Sequence, residues 1–572
     1  MNKVREIKEI IRREVLAAVS RAMERKRLPD VAPPLFSVDT PRDKNHGDFA
    51  VNIAMMMSKQ AKEQPRIIAQ TISDHLASDL DWLEKVEIAG PGFLNFYLRY
   101  DYFHPVLDAI LTEDKAYGTG DFGGGRKVQI EFVSANPTGL LHMGNARGAA
   151  LGDSLANVMN AAGFAVSREY YINDAGNQIE NFGKSLEARY LELLGEEVDF
   201  PEEGYQGEDV VDTARRILER EGDRFLRADP ESRRAFMIKE GLGEKLESIR
   251  RSLEGFGVRF DVWFSEQSLH DSGKIEETAG LLREKGLIYE KDGALWFKAT
   301  EFGDEKDEVM IRTNGAPTYF AVDIAYHRDK FERGFRTVIN VWGADHHGHV
   351  SRMKGAMGAL GYNPDDLEVI LMQLVRLMRG QEIVRMSKRS GQYVTLDELV
   401  EEVGKDAARF FFVMRAAESQ MDFDLELAKS QSSENPVYYV QYAHARIHSL
   451  LKMALFEDTP GSPPGGADTS AGPEAWPGAD LRRLVHPAEK ELIRRLADFP
   501  EEIIQAAVDR EPHRLPRYAM DLAALFHSFY TECRCLVDEI PLRQARLRLC
   551  DATRIVLRNV LGIIGVSAPE RM

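Results

Sequence analysis

The sequence predicts an α/β fold. A doubly wound parallel-sheet (Rossmann-like) domain is expected, with an N-terminal α+β domain before it and a C-terminal all-α helical bundle after it. Three observations carry this. Short β-branched runs alternate with helical stretches between residues 127 and 375, the pattern of a parallel sheet with crossover helices. A stretch rich in Pro, Gly and Ser runs from Asp458 to Gly478, and the pattern after it is helical. Before residue 105 the chain reads as helix, loop, helix and the apolar run Gly92-Phe-Leu-Asn-Phe-Tyr-Leu98.

The 572 residues leave room for roughly three to five domains. At 44% hydrophobic and 29% charged, the composition excludes a disordered or collagen-like chain. No apolar run reaches the ~18–20 residues of a membrane helix, and the charged N-terminus lacks the apolar core of a secretory signal. The three cysteines, Cys533, Cys535 and Cys550, are too few for a disulfide framework or a four-thiolate zinc site. A monomeric cytoplasmic protein without membrane association is the expectation. The formal net charge is −18, but residues 481–572 hold 15 Lys+Arg against 13 Asp+Glu. That tail is therefore +2 and the rest −20, an asymmetry that permits a local positive surface on an acidic protein.

The elements follow in order. Val4, Ile7, Ile11 and Val15 fall on one face of an N-terminal helix. Residues 1–105 form the first domain. The run from Lys127 to Val133 is a strand, followed by a glycine-containing turn, a helix to about Ala162 and a strand from Ala165. Phe335–Gly343 and Leu367–Val375 are further buried strands. The sheet domain spans 115–400, with a charged helical insertion at about 180–300. Linking helices are expected over 401–455 and an exposed Pro/Gly-rich loop over 456–480. Few contacts are expected to cross that loop to a separately folding helical tail at 481–572.

Two stretches carry chemistry. Glu131-Phe-Val-Ser-Ala-Asn136-Pro-Thr-Gly-Leu-Leu-His142-Met-Gly144-Asn145-Ala-Arg147-Gly148 lies where a strand ends and a helix begins. Such a helix N-terminus offers N–H groups and a positive dipole to phosphate. Gly144 lets a nucleotide approach the backbone, and His142 and Asn145 can donate to phosphate oxygens. Arg385-Met386-Ser387-Lys388-Arg389-Ser-Gly391 is a basic stretch between Gly380 and Gly391. Its cations suit the charge of a leaving pyrophosphate.

In this order, roughly 240 residues apart, the two stretches resemble the signatures His-Ile-Gly-His and Lys-Met-Ser-Lys of class I aminoacyl-tRNA synthetases. Asn145 stands at the second histidine and Arg385 at the first lysine. Over its whole length the chain resembles the arginyl-tRNA synthetases. Asn45-His-Gly-Asp48-Phe49-Ala-Val-Asn52 is similar to part of that family's additional RNA-contacting domain. Asp406-Ala-Ala-Arg409 resembles the motif that names its anticodon-binding domain, which on that resemblance starts near 440, and the tail Ala568-Pro-Glu-Arg-Met572 is typical.

The resemblance implies an enzyme that activates arginine with ATP and Mg²⁺ and transfers it to tRNA(Arg), usually requiring bound tRNA for the first step. It implies His142, Asn145 and Lys388 as catalytic residues, and Gly144, Arg385, Met386 and Ser387 with them around ATP. Glu131 and Asp323 would hold the guanidinium, with Asn136 and Tyr319 as further arginine contacts. Asn45, Asp48, Phe49 and Asn52 would meet tRNA through the N-terminal domain.

Residue chemistry agrees with a guanidinium ligand. Its five donors suit carboxylates. Tyr319 and Asp323, four apart, share a helical face, and Pro317 suits that helix's first turn. Trp342-Gly-Ala-Asp345-His346-His347-Gly-His349 follows an apolar strand. It reads as a metal site or, in preference, as a wall of the substrate pocket, through Asp345 and His346. No dedicated protein metal site is expected, Mg²⁺ arriving with ATP. In the tail, Arg543 and Arg546 are candidates for tRNA, because basic side chains with aromatics bind unstacked bases. An ATP-dependent acid-activating relative without tRNA, a non-catalytic RNA-binding paralogue and other synthetase specificities are the rival readings. The helical tail, the retained His142, Gly144 and Lys388, and the lack of early cysteines or a large editing insertion weigh against them.

Overall fold

A computed structural model of the chain describes residues 2–41, 43–380, 382–383, 394–458 and 476–572. Arg385, Met386, Ser387 and Lys388 and most of the Pro/Gly-rich stretch lie outside the described residues.

The N-terminal helix Lys3–Glu24 starts at Asn2, whose side chain accepts from Arg5 N. It buries Val4, Ile7, Ile11 and Val15, as their spacing predicts. An antiparallel sheet of four strands accompanies it, in the spatial order Val38–Asp39, Phe49–Val51, Phe93–Leu98, Leu83–Ala89. Gly47 has φ +84°, and a Cβ there would lie 2.8 Å from Phe96 O, so this turn needs glycine.

The central sheet has five parallel strands: Lys127–Glu131, Ala165–Ile172, Val262–Ser265, Thr337–Gly343 and Leu367–Met372. Counted along the chain, their spatial order is 5-4-1-2-3. The chain therefore leaves the first strand on one side and returns on the other. The carboxyl ends of the first and fourth strands flank the switch point, where open α/β sheets bind ligands.

The strand Val262–Ser265 corrects the reading of 180–300 as insertion throughout. With four residues and no alternation, Val262-Trp-Phe-Ser265 carries too little periodicity to be read as a strand. The helices inserted between the second and third strands are Asn177–Leu193, Glu208–Glu221 and Pro230–Gly255. A small antiparallel sheet, Ile288–Lys291, Ala294–Phe297 and Glu308–Ile311, follows.

The C-terminal bundle contains Pro487–Asp509, Arg514–Glu532 and Ile540–Ile563. The helix Pro436–Asp458 packs with the last two of these, so the bundle begins before the Pro/Gly-rich stretch, within residues read as linking helices. The expectation of few contacts to the tail is overturned. One hydrophobic core runs from Val4 to Val566. Arg510 pairs with Glu368 on the fifth strand through two contacts of 2.9 Å. Arg494 Nη1 lies 2.7 Å from Asp48 Oδ1. Fully buried Arg409 donates to Ile564 O (2.9 Å) and Phe256 O (3.2 Å). Among the described residues no helix is long and apolar enough to cross a membrane.

Candidate active site

The first signature is a helix cap. His142 is the N-cap of Met143–Ala161, and its Nδ1 accepts from Gly144 N (3.1 Å) and Asn145 N (3.4 Å). Asn145 Oδ1 accepts from His142 N at 3.1 Å, closing a capping box. An accepting Nδ1 places the ring proton on Nε2. Asn145 has its carbonyl oxygen engaged, which makes its amide nitrogen the group suited to meet phosphate. The cap also holds the far end of the second signature's segment: Met143 N donates to Val394 O (3.2 Å) and Leu396 N to Leu141 O (2.9 Å). Arg147 points elsewhere. It is buried, donates to Gln373 O, Ala416 O and Ser419 O, and burial pushes its pKa down to about 10.

Across the switch point stands the helix Tyr319–Glu332, capped by Thr318, whose side chain accepts from Ala321 N at 3.4 Å. Pro317 precedes this cap, so its place is outside the first turn rather than in it. Tyr319 is 55% exposed. One turn on, Asp323 Oδ2 lies 3.0 Å from His349 Nε2. Behind Asp323, Glu266 is buried and accepts from Tyr171 Oη at 2.8 Å. Burial raises the Glu266 pKa above the usual carboxylate range; the Tyr171 hydrogen bond opposes this, and Asp323 and Asp174 add repulsion. The Tyr171 hydroxyl is raised too, by burial and then by Glu266, Asp323 and Glu131. These carboxylates form an acidic recess suited to a cation that brings its own donors.

Nothing in the sequence singles out Tyr171 or Glu266, and His349 is marked there only as one member of the cluster Trp342–His349, without a role of its own. Glu266 directly follows the strand that went unread, and Tyr171 passes as an ordinary strand aromatic.

Glu131 differs from its expected part. It is 7% exposed and its Oε2 lies 2.6 Å from Nζ of Lys330, itself fully buried. This carboxylate, expected at the guanidinium, holds a resident ammonium in the fold. Lys330 also donates to Asn340 Oδ1 (2.9 Å), Asn340 Nδ2 lies 2.7 Å from His327 Nε2, and His327 Nδ1 lies 2.8 Å from Asp323 O. Burial, reinforced by the Lys330 charge, holds the His327 pKa well below the usual imidazole value. The network ties the first strand's end to the backbone of the Asp323 helix.

Beyond Glu131, Val133 (φ +69°) and Ser134 (φ +37°) take positive φ, a costly conformation that concentrates at functional sites. Ser134 Oγ donates to Glu131 Oε1 at 2.9 Å. Asn136 Nδ2 donates to Gln178 Oε1 at 2.7 Å. Asp345 and His346 sit on an exposed turn after the fourth strand, 3.7 Å apart. Among the described residues no group of three or more His, Cys, Asp or Glu side chains is placed to hold a metal.

Family profiles cover almost the whole chain. Residues 5–98 match the arginyl tRNA synthetase N terminal domain, 106–424 the class I (R) tRNA synthetase catalytic domain, and 440–572 the DALR anticodon binding domain. The chain belongs to the arginyl-tRNA synthetase family. It is 61% identical over 568 residues to the arginine–tRNA ligase of Heliobacterium modesticaldum, covering 99% of each chain. It is 58% identical to that of Moorella thermoacetica, covering 100% of each. The solved arginyl-tRNA synthetase of Thermus thermophilus shares its fold, with a TM-score of 0.72 at 24% identity over 99% of this chain and 100% of that one.

The residues expected to meet tRNA divide differently on this synthetase. Asn45 is exposed, and its backbone oxygen accepts from Tyr97 Oη at 2.6 Å. Phe49, only 3% exposed, is core, and Asp48 is committed to Arg494 and to Leu98 N. Asn52 Oδ1 accepts from Ser37 N at 3.4 Å. In the bundle, Arg546 Nε donates to buried Glu489 (2.8 Å) and its Nη1 to Arg534 O (2.7 Å). Phe49, Asp48 and Arg546 thus have structural parts in the fold, through packing and pairing. Arg543 lies at the start of the last helix.

An aromatic cleft lies where the helices Pro436–Asp458 and Arg514–Glu532 meet. About 460 Å³ is lined by Tyr438, Tyr439, Tyr442, Arg446 and His527 among others. Tyr442 stacks on His527 at 6.1 Å, and the Arg446 guanidinium lies 4.3 Å from the Tyr530 ring centre.

Proposed function

We propose that the crevice at the switch point carries out arginine activation and transfer to tRNA, with a division of labour among the residues above. The chain is an arginine–tRNA ligase. The arginine carboxylate attacks the α-phosphorus of ATP, pyrophosphate leaves, and the arginyl-adenylate then acylates the terminal adenosine of tRNA. The single observation that carries the site assignment is the acidic recess of Asp323 and Glu266 across the switch point from the His142–Asn145 helix cap.

Asp323 and Glu266 take the guanidinium, Tyr319 covers it, and Asn136 meets the other end of the amino acid. Glu131, neutralised by Lys330, sets the shape of the strained Val133–Ser134 turn. Asp345 and His346 border the adenosine side. His142 Nε2–H, Asn145 Nδ2 and the first-turn N–H groups meet phosphate oxygens. Arg385, Met386, Ser387 and Lys388 meet the outer phosphates, where Lys388 stabilises the leaving pyrophosphate. Mg²⁺ enters bound to the ATP phosphates. Rate comes from positioning and charge stabilisation.

Bases of the anticodon loop are read in the Tyr442–Arg446–His527 cleft, whose stacking faces and cation suit unpaired bases. The enzyme is proposed to work as a monomer in a reducing cytoplasm, where its three cysteines stay free thiols. Amino-acid-dependent exchange of pyrophosphate into ATP, measured with each amino acid and with or without tRNA, tests the reading. Arginine alone should support exchange. Comparable exchange with another amino acid would overturn it.

A further inference from the structure

We infer that His349 is a positioning residue for arginine: it holds the Asp323 carboxylate in the orientation that receives the guanidinium. The inference rests on the reading that Asp323 is a guanidinium partner.

His349 lies in the first turn of the helix His347–Leu360. Its ring is set between two aromatic side chains, with Trp342 at 5.6 Å and 36° and Phe320 edge-on at 6.1 Å and 76°. Those contacts leave its Nε2 3.0 Å from Asp323 Oδ2. The side chain of Asp323 is 34% exposed and that of His349 22%, so the pair sits at the wall of the recess and not in the core.

An aspartate at such a place has reason to turn away. Glu266 and Asp323 are close enough to repel each other, and solvent offers the carboxylate an alternative. One fixed donor on Oδ2 opposes that rotation. A carboxylate has about four lone-pair positions, so a single imidazole N–H leaves Oδ1 and the second site of Oδ2 open to the guanidinium fork. A carboxylate already in place costs the substrate less ordering on binding.

The groups around His349 do not supply a substitute. His327, on the same helix as Asp323, is turned to Asn340 and to the backbone carbonyl of Asp323. His346 packs against Trp342, and its Nε2 lies 3.7 Å from Asp345. Arg352, on the helix of His349, is engaged by Asp304 and Glu308. Tyr171 donates to Glu266.

Two replacements separate the hydrogen bond from the packing. His349→Phe keeps a ring between Trp342 and Phe320 and removes the donor. His349→Gln places an amide N–H close to the position of Nε2. In aminoacylation by the full-length enzyme, His349→Phe should raise the arginine KM about tenfold, the scale of one hydrogen bond to a charged group. The ATP and tRNA KM should stay within about twofold and kcat within about threefold. His349→Gln should return the arginine KM to within about threefold of the parent. In an Asp323→Asn background, His349→Phe should add less than about twofold, because the group it positions has changed.

Should the phenylalanine variant fail to fold, His349→Met carries the same expectations. An arginine KM unchanged by His349→Phe, while Asp323→Asn raises it, would overturn the inference and leave the Asp323 assignment standing. Full additivity of the two substitutions would reduce His349 to packing. An unchanged arginine KM in Asp323→Asn alone would overturn both readings together.

Discussion

Arg409 Nη2 lies 2.5 Å from Asp153 Oδ2, joining the helix that follows the catalytic sheet to the signature helix. Arg409 is fully buried and Asp153 nearly so. The remaining guanidinium donors reach Ile564 O in the last helix's cap and Phe256 O at the end of the insertion. A single side chain thus bridges three parts of the molecule. The Asp406-Ala-Ala-Arg409 motif is structural in this fold: Asp406 accepts from Ser567 N at 3.2 Å and from Gln441 Nε2 at 2.9 Å.

Arg409→Met should cost about 3–5 kcal/mol of stability, because it leaves the Asp153 charge and two carbonyls buried without their partner. Arg168 Nε, 3.3 Å from Asp153 Oδ1, keeps the loss toward the lower end. Urea unfolding followed by fluorescence measures it. A loss below about 1 kcal/mol would show that the node is replaceable.

Asp498 lines a cleft of about 950 Å³ between the N-terminal domain, through Lys8 and Asp39, and the bundle. Burial pushes its pKa up to about 6, against the pull of Arg495 and Arg494. The folded protein therefore keeps a proton that the unfolded chain gives up near pH 4. Stability from this group is greatest below that pH and falls as pH rises towards about 6. Asp498→Asn should remove the fall and stabilise the protein by about 1–3 kcal/mol at pH 7.5. Thermal unfolding at pH 5 and 7.5 checks it. A variant less stable than the parent at pH 7.5 would show that the pairing with Arg495 outweighs burial.

Much of this architecture was legible because local signals sufficed. The spacing of Val4, Ile7, Ile11 and Val15 is a period-3.6 stripe, and the runs at 127–133 and 335–343 are long enough to read as strands. The signature turn was legible from residue order alone. Glu266 was not, because its strand is four residues long. The occupation of Glu131 by Lys330 was not legible either: the two are 199 residues apart, and nothing near either announces the other. The same holds for Arg510 and Glu368, 142 apart. Long-range pairs of this kind decide which of several plausible carboxylates and arginines are left open to a substrate. That is why Asp48 and Arg546 looked available in the sequence and are committed in the fold.

The aromatic cleft makes a separate prediction about tRNA. Stacking of a base on an aromatic ring is worth about 1–3 kcal/mol. Tyr442→Ala should therefore weaken tRNA binding about tenfold or more and leave the arginine KM unchanged. Arg446→Ala should weaken it as well and lower the slope of log affinity against log salt by about 1 if the guanidinium meets a phosphate. Filter binding across a salt series reads both. Unchanged affinity in Tyr442→Ala would move base recognition out of this cleft.

Removing residues 481–572 should unfold the protein and not merely silence it. The lost segment supplies more than a tRNA-binding surface. Its helix Pro487–Asp509 packs on the signature helix, and Leu496 O accepts from the buried Tyr117 Oη at 2.9 Å. Arg510 leaves Glu368 on the fifth strand without its bidentate partner. Asn559 Nδ2 no longer reaches Asp114 O (2.7 Å) and Tyr117 O (3.1 Å). Arg409 loses Ile564 O, and the helix Pro436–Asp458 loses two of the helices that pack on it, keeping Lys405–Met414. Large apolar areas on these faces would meet water, at about 25 cal/mol per Å². Residues 1–480 should accordingly aggregate on expression or show no cooperative thermal transition, and they should not support arginine-dependent pyrophosphate exchange even with tRNA present. A soluble fragment melting cooperatively near the full-length midpoint would refute this, and would mean that the catalytic sheet and its N-terminal domain hold their own core despite the loss of every contact named above.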